Sequence, residues 1–155
     1  MGPLQGPDRG VGRLRGAARR VQGLRVSDPL LLDTNVLIWV LSASARISRR
    51  AKRALSRQGV PLIVSAASVW EIVVKSQAGR LSFREGLDAA LDQILHRSPW
   101  TILPVSPEHL PVLAALPLLH RDPFDRLLIA QAQHEKLIIV TADEQIPKYN
   151  VRTVW

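Results

Sequence analysis

Leu30-Leu31-Leu32-Asp33-Thr34-Asn35 is the stretch from which the rest of the chain is read. The run from Pro29 to Leu32 has no polar member, and a strand covered on both faces of a sheet cannot alternate, so it is read as a fully buried strand. Asp33 then stands at its carboxyl end. In open α/β sheets ligands bind at that edge, which makes a carboxylate delivered there a candidate for chemistry. Asp33 or Asn35 equally suits the cap of a helix beginning at about Val36, because both residue types accept hydrogen bonds from the first free N–H groups. Other acids at corresponding places downstream decide between these readings.

Outward from that strand, the same design recurs. Leu62-Ile63-Val64 is a second apolar run, followed by a helix over 66–78 that carries Glu71 between Trp70 and Ile72, with Gly79 at its end. There Glu71 faces a cleft or pairs at the surface with Lys75 at i,i+4. Thr101-Ile102-Leu103-Pro104-Val105 is a third strand. Leu137-Ile138-Ile139-Val140 is a fourth and closes on Thr141-Ala142-Asp143, and 149–155 forms a short last one. Between them, helices are expected over 36–41, 45–58 and 83–96, the last with a buried stripe of Leu87, Leu91, Ile94 and Leu95. Ser106-Pro107-Glu108 and Asp122-Pro123-Phe124-Asp125 both have the pattern of capped helix starts. The alternation predicts one α/β domain over 29–155 with a mainly parallel, four- to five-stranded sheet flanked by helices.

The chain has 155 residues, enough for one core, and no apolar stretch approaches the roughly 20 residues of a membrane span. Cysteine is absent, which excludes a disulfide framework and thiolate metal sites and suits a reducing, cytoplasmic compartment. Net charge is +8. Residues 1–28 hold six arginines against two acids and few large apolar side chains, so they are read as a disordered basic extension. The folded part keeps a basic excess, including the helix with Arg46, Arg49, Arg50, Lys52, Arg53 and Arg57, which suits a polyanionic or acidic partner or is simply solvated.

In a parallel sheet the strand ends gather on one edge, which brings Asp33, Glu71, Asp125 and Asp143 towards one basin. Like charges that close need a counter-ion, and a hard divalent cation with oxygen ligands supplies one. Mg²⁺ or Mn²⁺ fits such donors. Zinc does not, since Cys is absent and the four histidines lack ligand spacing. Asp122 is read as a cap that orients the helix start, and Asp125 as the residue that reaches the ion.

Taken together, the runs 31–39, 68–81, 120–132 and 140–143 occur in an order that resembles the PIN-domain family, and within it the VapC-type toxins of bacterial toxin-antitoxin pairs. The resemblance covers about residues 30–155. It implies a PIN-like three-layer fold and an acidic site of Asp33, Glu71, Asp125 and Asp143, with Thr34, Asn35 and Thr141 as supporting polar groups. It also implies a metal-dependent endoribonuclease, a homodimer, and inhibition by a small antitoxin whose tail occupies a groove near the site. Phosphodiester hydrolysis at bound Mg²⁺ is the chemistry expected, with Arg121, Arg126 and the basic helix on backbone phosphates.

Two other readings stand beside this one. A catalytically silent binding module would use the acids only as caps and solvated pairs. A phosphatase of the haloacid dehalogenase class also begins with an apolar strand ending in Asp, but it needs a second acid two residues on, where this chain has Asn35.

Overall fold

The computed structural model describes residues 24–25 and 27–155. Among these, five short strands form one sheet: β1 (Leu30–Leu32), β2 (Leu62–Ser65), β3 (Thr101–Leu103), β4 (Ile138–Val140) and β5 (Arg152–Val154). Every pairing is parallel and the spatial order is β3-β2-β1-β4-β5. β1 therefore lies at the centre, with its register running Leu30, Leu31, Leu32 against Leu62, Ile63, Val64 on one side and Ile138, Ile139, Val140 on the other. Chain direction across the sheet reverses between β1 and β4. A crevice opens at the carboxyl ends of strands at such a switch point.

All three residues of β1 are buried, and they divide between two cores. Leu30 and Leu32 face one cluster, with Val36 and Leu37 of α1 (Thr34–Leu41), Ala51 and Ala54 of α2 (Arg49–Leu55) and Ile72 of α3 (Ala66–Gln77). Leu31 faces the other, with Leu128, Ile129 and Ala132 of α6 (Pro123–Glu135) and the buried Tyr149. Alternate side chains of one strand thus feed both faces of the sheet, which is why the strand has no polar position. The result is the three-layer arrangement expected. Burying each such leucine contributes about 1.5–3 kcal/mol.

Several elements differ from expectation at their ends. Helix α1 begins at Thr34 rather than Val36, because Asp33 itself caps it. Helix α2 is shorter than 45–58, being set by Ser48, whose hydroxyl accepts from Ala51 N–H. The expected helix over 83–96 is α4 (Gly86–Asp92) followed by a π-helical turn over Gln93–Arg97. A π turn takes in one more residue than an α turn and so rotates the side chains beyond it about the helix axis. Ile94 remains buried, while Leu95 is carried to the surface at 44% exposure. Ser106 does not cap the next helix: its N–H donates to His109 Nδ1, and α5 (His109–Ala115) starts three residues later. Tyr149 belongs to the turn before β5 rather than to the strand.

Of the extension expected over residues 1–28, residues 1–23 and 26 lie outside the described residues. At the end of that segment, Leu24 packs on the first core, Arg57 donates to its carbonyl, and Asp28 pairs with Arg152 at 2.9 Å. No helix among the described residues is long and apolar enough to cross a membrane.

Candidate metal centre at the sheet edge

Asp33 lies at the carboxyl end of β1 and is 2% exposed. Its N–H continues the ladder to Val140 O, which locks the residue between β1 and β4. The capping reading holds at one oxygen, and the other has a separate partner. Oδ1 accepts from Asn35 N–H at 3.2 Å, and Oδ2 accepts from Thr141 Oγ1 at 2.6 Å. Burial, and then the nearby negative charges of Glu71 and Asp143, raise the Asp33 carboxyl above its ordinary range, against the two hydrogen bonds.

Helix α3 starts directly from β2, capped by Ser65. Its first turn is held to α1 by Thr34 Oγ1, which donates to Ser68 Oγ at 3.0 Å. Glu71 follows Ser68 by three residues and shares its face of the helix. The Lys75 pair expected as the alternative does form, with Nζ at 2.6 Å from Oε1, yet it is no surface pair: the Glu71 side chain is 5% exposed. Its Oε2 is buried and has no hydrogen-bond partner. A buried carboxylate oxygen left bare is costly, and such an atom calls for a ligand.

Asp122 caps α6 as expected, with Oδ1 accepting from Phe124 N–H at 2.8 Å and Pro123 in the first turn. Asp125, one turn in, points into the same basin. Burial comes first, then the Asp33 and Asp122 charges, in pushing it up to about 7, with His120 acting in the opposite sense. The mutual influence of Asp33, Glu71, Asp125 and Asp143 is what their gathering at one edge requires.

Asp143 is reached through Thr141, whose Oγ1 accepts from Asp143 N–H at 2.9 Å while donating to Asp33. Its Oδ2 lies 2.9 Å from His120 Nε2, which is also 3.2 Å from Asp125 Oδ2. His120, Asp125 and Asp143 together offer ligand atoms within 4.8 Å of one another. The Asp122 N–H donates to His120 Nδ1, so the ring proton sits on Nε2 and faces the two acids. The loop bearing His120 is pinned from behind by its own N–H, which donates to Tyr149 Oη at 2.6 Å.

Sequence alone gives His120 no role, because the histidines lack ligand spacing along the chain. Its partner Asp143 is 23 residues away and meets it only through the fold. The one sequence signal is its place two residues before Asp122 in the run that also carries Asp125. Asn35 contributes its N–H to Asp33, while its side chain is exposed. Arg121 is exposed beside the site. Arg126 is otherwise engaged: its guanidinium donates to Pro117 O at 2.7 Å, Leu116 O at 3.2 Å and Leu113 O at 3.4 Å, closing the end of α5.

The donor chemistry suits a hard cation: Asp125 and Asp143 come together at His120, Asp33 and Glu71 lie near enough to act on the same basin through their charge, one buried oxygen is bare, and two of the acids are held above their ordinary range. With this geometry in view, the chain matches the PIN domain family over residues 30–151. It belongs to the PIN domain family. Solved structures of similar fold include VapBC2 from Rickettsia felis bound to a fragment of promoter DNA, at 16% identity and TM-score 0.61, covering 81% of this chain and 96% of that one. DNA-bound VapBC from Salmonella typhimurium aligns at 16% identity and TM-score 0.60, covering 82% and 97%. FitAcB from Neisseria gonorrhoeae aligns at 18% and 0.58, covering 80% and 95%. At these identities the structures show a shared PIN fold. No curated protein matches the chain.

Proposed function

We propose that this PIN domain is a metal-dependent endoribonuclease of the VapC toxin type, with Asp33, Glu71, Asp125 and Asp143 holding Mg²⁺ or Mn²⁺. The observation that carries the reading is the buried, unpartnered Oε2 of Glu71 in a basin where burial and neighbouring acids hold Asp33 and Asp125 above the ordinary carboxylate range. When bound, the ion would lower the pKa of water and stabilise charge on a phosphodiester, giving 5′-phosphate and 3′-hydroxyl ends.

The chain's own residues do the positioning. Thr141 orients Asp33 and ties it to Asp143. Lys75 turns Glu71 by one oxygen, leaving the other for a ligand. His120 Nε2–H holds Asp125 and Asp143 side by side, and Asp122 orders the loop from which His120 projects. Exposed Arg121 is the cation placed for a backbone phosphate. Arg126 supports that surface through the Leu116 and Pro117 carbonyls just past α5.

Solved structures of similar fold are toxin-antitoxin complexes, some with DNA. On that likeness the reading extends to a cytoplasmic homodimer restrained by a cognate antitoxin. The orphaned oxygen of Glu71 favours the enzyme over the silent module, since a solvated structural pair would leave no buried acceptor bare.

Asp33→Asn keeps an acceptor for Asn35 N–H and removes a buried charge, so the fold should persist while cleavage of single-stranded RNA in Mg²⁺ falls by at least about a hundredfold. Retention of full activity by that variant sinks the assignment. Mapping the ends of the RNA fragments checks the chemistry.

A further inference from the structure

Two aromatic rings border the acids, each on the residue immediately before one of them: Trp70 before Glu71 and Phe124 before Asp125. They come from different helices, yet their centroids lie 5.1 Å apart at an interplanar angle of 69°, an edge-to-face contact. Trp70 is nonetheless 61% exposed. The indole is thus braced on one side and open on the other. Consecutive helix residues point about 100° apart. Glu71 therefore turns into the basin while Trp70 stands at its rim.

We propose that the exposed indole of Trp70, braced by Phe124, is a stacking platform for one unpaired nucleobase of a single-stranded RNA whose neighbouring phosphate lies at the acids. This inference rests on the ribonuclease reading above and names the form of substrate that the site takes. An acidic basin does not by itself attract RNA, so affinity comes from its surroundings. The nearby cations supply little: Lys75 is paired with Glu71, Arg126 is bound to three carbonyls, and Arg121 remains. A π surface stacks any base without regard to charge, but only a base free of its own helix can reach it. The rest of the strand has a path. A groove of about 550 Å³ is lined by Leu113, Leu118, His120, Arg121, Pro123 and Arg126, from the chain segment and first turn of α6 that also carry Phe124. A protein partner would also meet Val74, 40% exposed one turn beyond Trp70 on the same face, and the test separates the two.

The test uses the full chain carrying Asp33→Asn, in Mg²⁺, titrated with a mixed-sequence single-stranded oligoribonucleotide and followed by anisotropy and indole fluorescence. Binding should quench the fluorescence. Adding Trp70→Phe should remove most of the quench and keep most of the affinity, whereas Trp70→Ala should weaken binding by about ten- to a hundredfold, with no comparable effect on a duplex. In the cleaving protein, Trp70→Ala should raise KM by a similar factor and leave kcat nearly unchanged. If Trp70→Ala binds and cleaves like its parent while Asp33→Asn is inactive, the platform is overturned and the nuclease stands. If the parent neither binds nor cleaves RNA, both fall. Unchanged RNA affinity together with loss of a self-associated form in sedimentation assigns the ring to an interface between copies, and also overturns the platform.

Discussion

Thr141 Oγ1 donates to Asp33 Oδ2 across 2.6 Å, joining the carboxyl ends of β4 and β1 from positions 108 residues apart. The same oxygen accepts from Asp143 N–H, so one hydroxyl sets the spacing of two acids. Thr141→Val keeps the shape and deletes both bonds. Unfolding in urea should show a loss of about 1–3 kcal/mol, since buried Asp33 loses a donor and the Asp143 N–H an acceptor. Mn²⁺ affinity should fall by about ten- to a hundredfold, as when a ligand loses its outer support. Unchanged metal affinity in a destabilised variant would confine Thr141 to a structural role.

The acids also predict how stability depends on pH without metal. Asp125 is raised from 3.8 to about 7, so folding favours its protonated form. Its contribution is fully present below about pH 4 and is lost as pH rises towards 7. Asp125→Asn mimics the neutral form, so in EDTA it should melt with the parent near pH 4 and above it at about pH 8. Mn²⁺ should stabilise the parent more at about pH 8 than at about pH 5, because the ion competes with that proton. A parent and variant that melt alike at every pH would remove Asp125 from the basin.

Lys75 is predicted to restrain Glu71 rather than to meet substrate. Lys75→Met leaves a second buried oxygen of Glu71 without a partner, so stability without metal should drop by about 1–3 kcal/mol. Saturating Mn²⁺ should restore much of that loss through linkage. Equal destabilisation with and without the ion, by calorimetry, would refute the account.

Arg126→Met tests the opposite division of labour. The Leu116 and Pro117 carbonyls just past α5 lose their donor, while Leu113 O keeps the Leu116 N–H. Urea unfolding should therefore show a cost of about 1–2 kcal/mol while RNA affinity stays within about threefold. A tenfold loss of RNA affinity with unaltered stability would return the side chain to phosphate binding.

Much of this molecule is legible in short stretches of its chain. Leu30–Leu32 announced a strand buried on both faces because burial leaves no place for a polar side chain, and Asp122-Pro123 announced the start of α6 because a cap and a proline act within one turn. The family likeness could be read for the same reason, since each of its motifs is local. The π turn at 93–97 was not readable, as Leu95 keeps helical spacing in sequence and turns outward only in three dimensions.

Tertiary structure alone decided who meets whom at the sheet edge. The order β3-β2-β1-β4-β5 sets β4 beside β1, and no run of a few residues encodes that adjacency. It brings about the Thr141 bond to Asp33, the place of His120 between Asp125 and Asp143, the bare oxygen of Glu71 and the contact of Trp70 with Phe124. The physical reason is range: propensity, patterning and capping act over a turn or two, whereas convergence depends on how separately stable elements share one core.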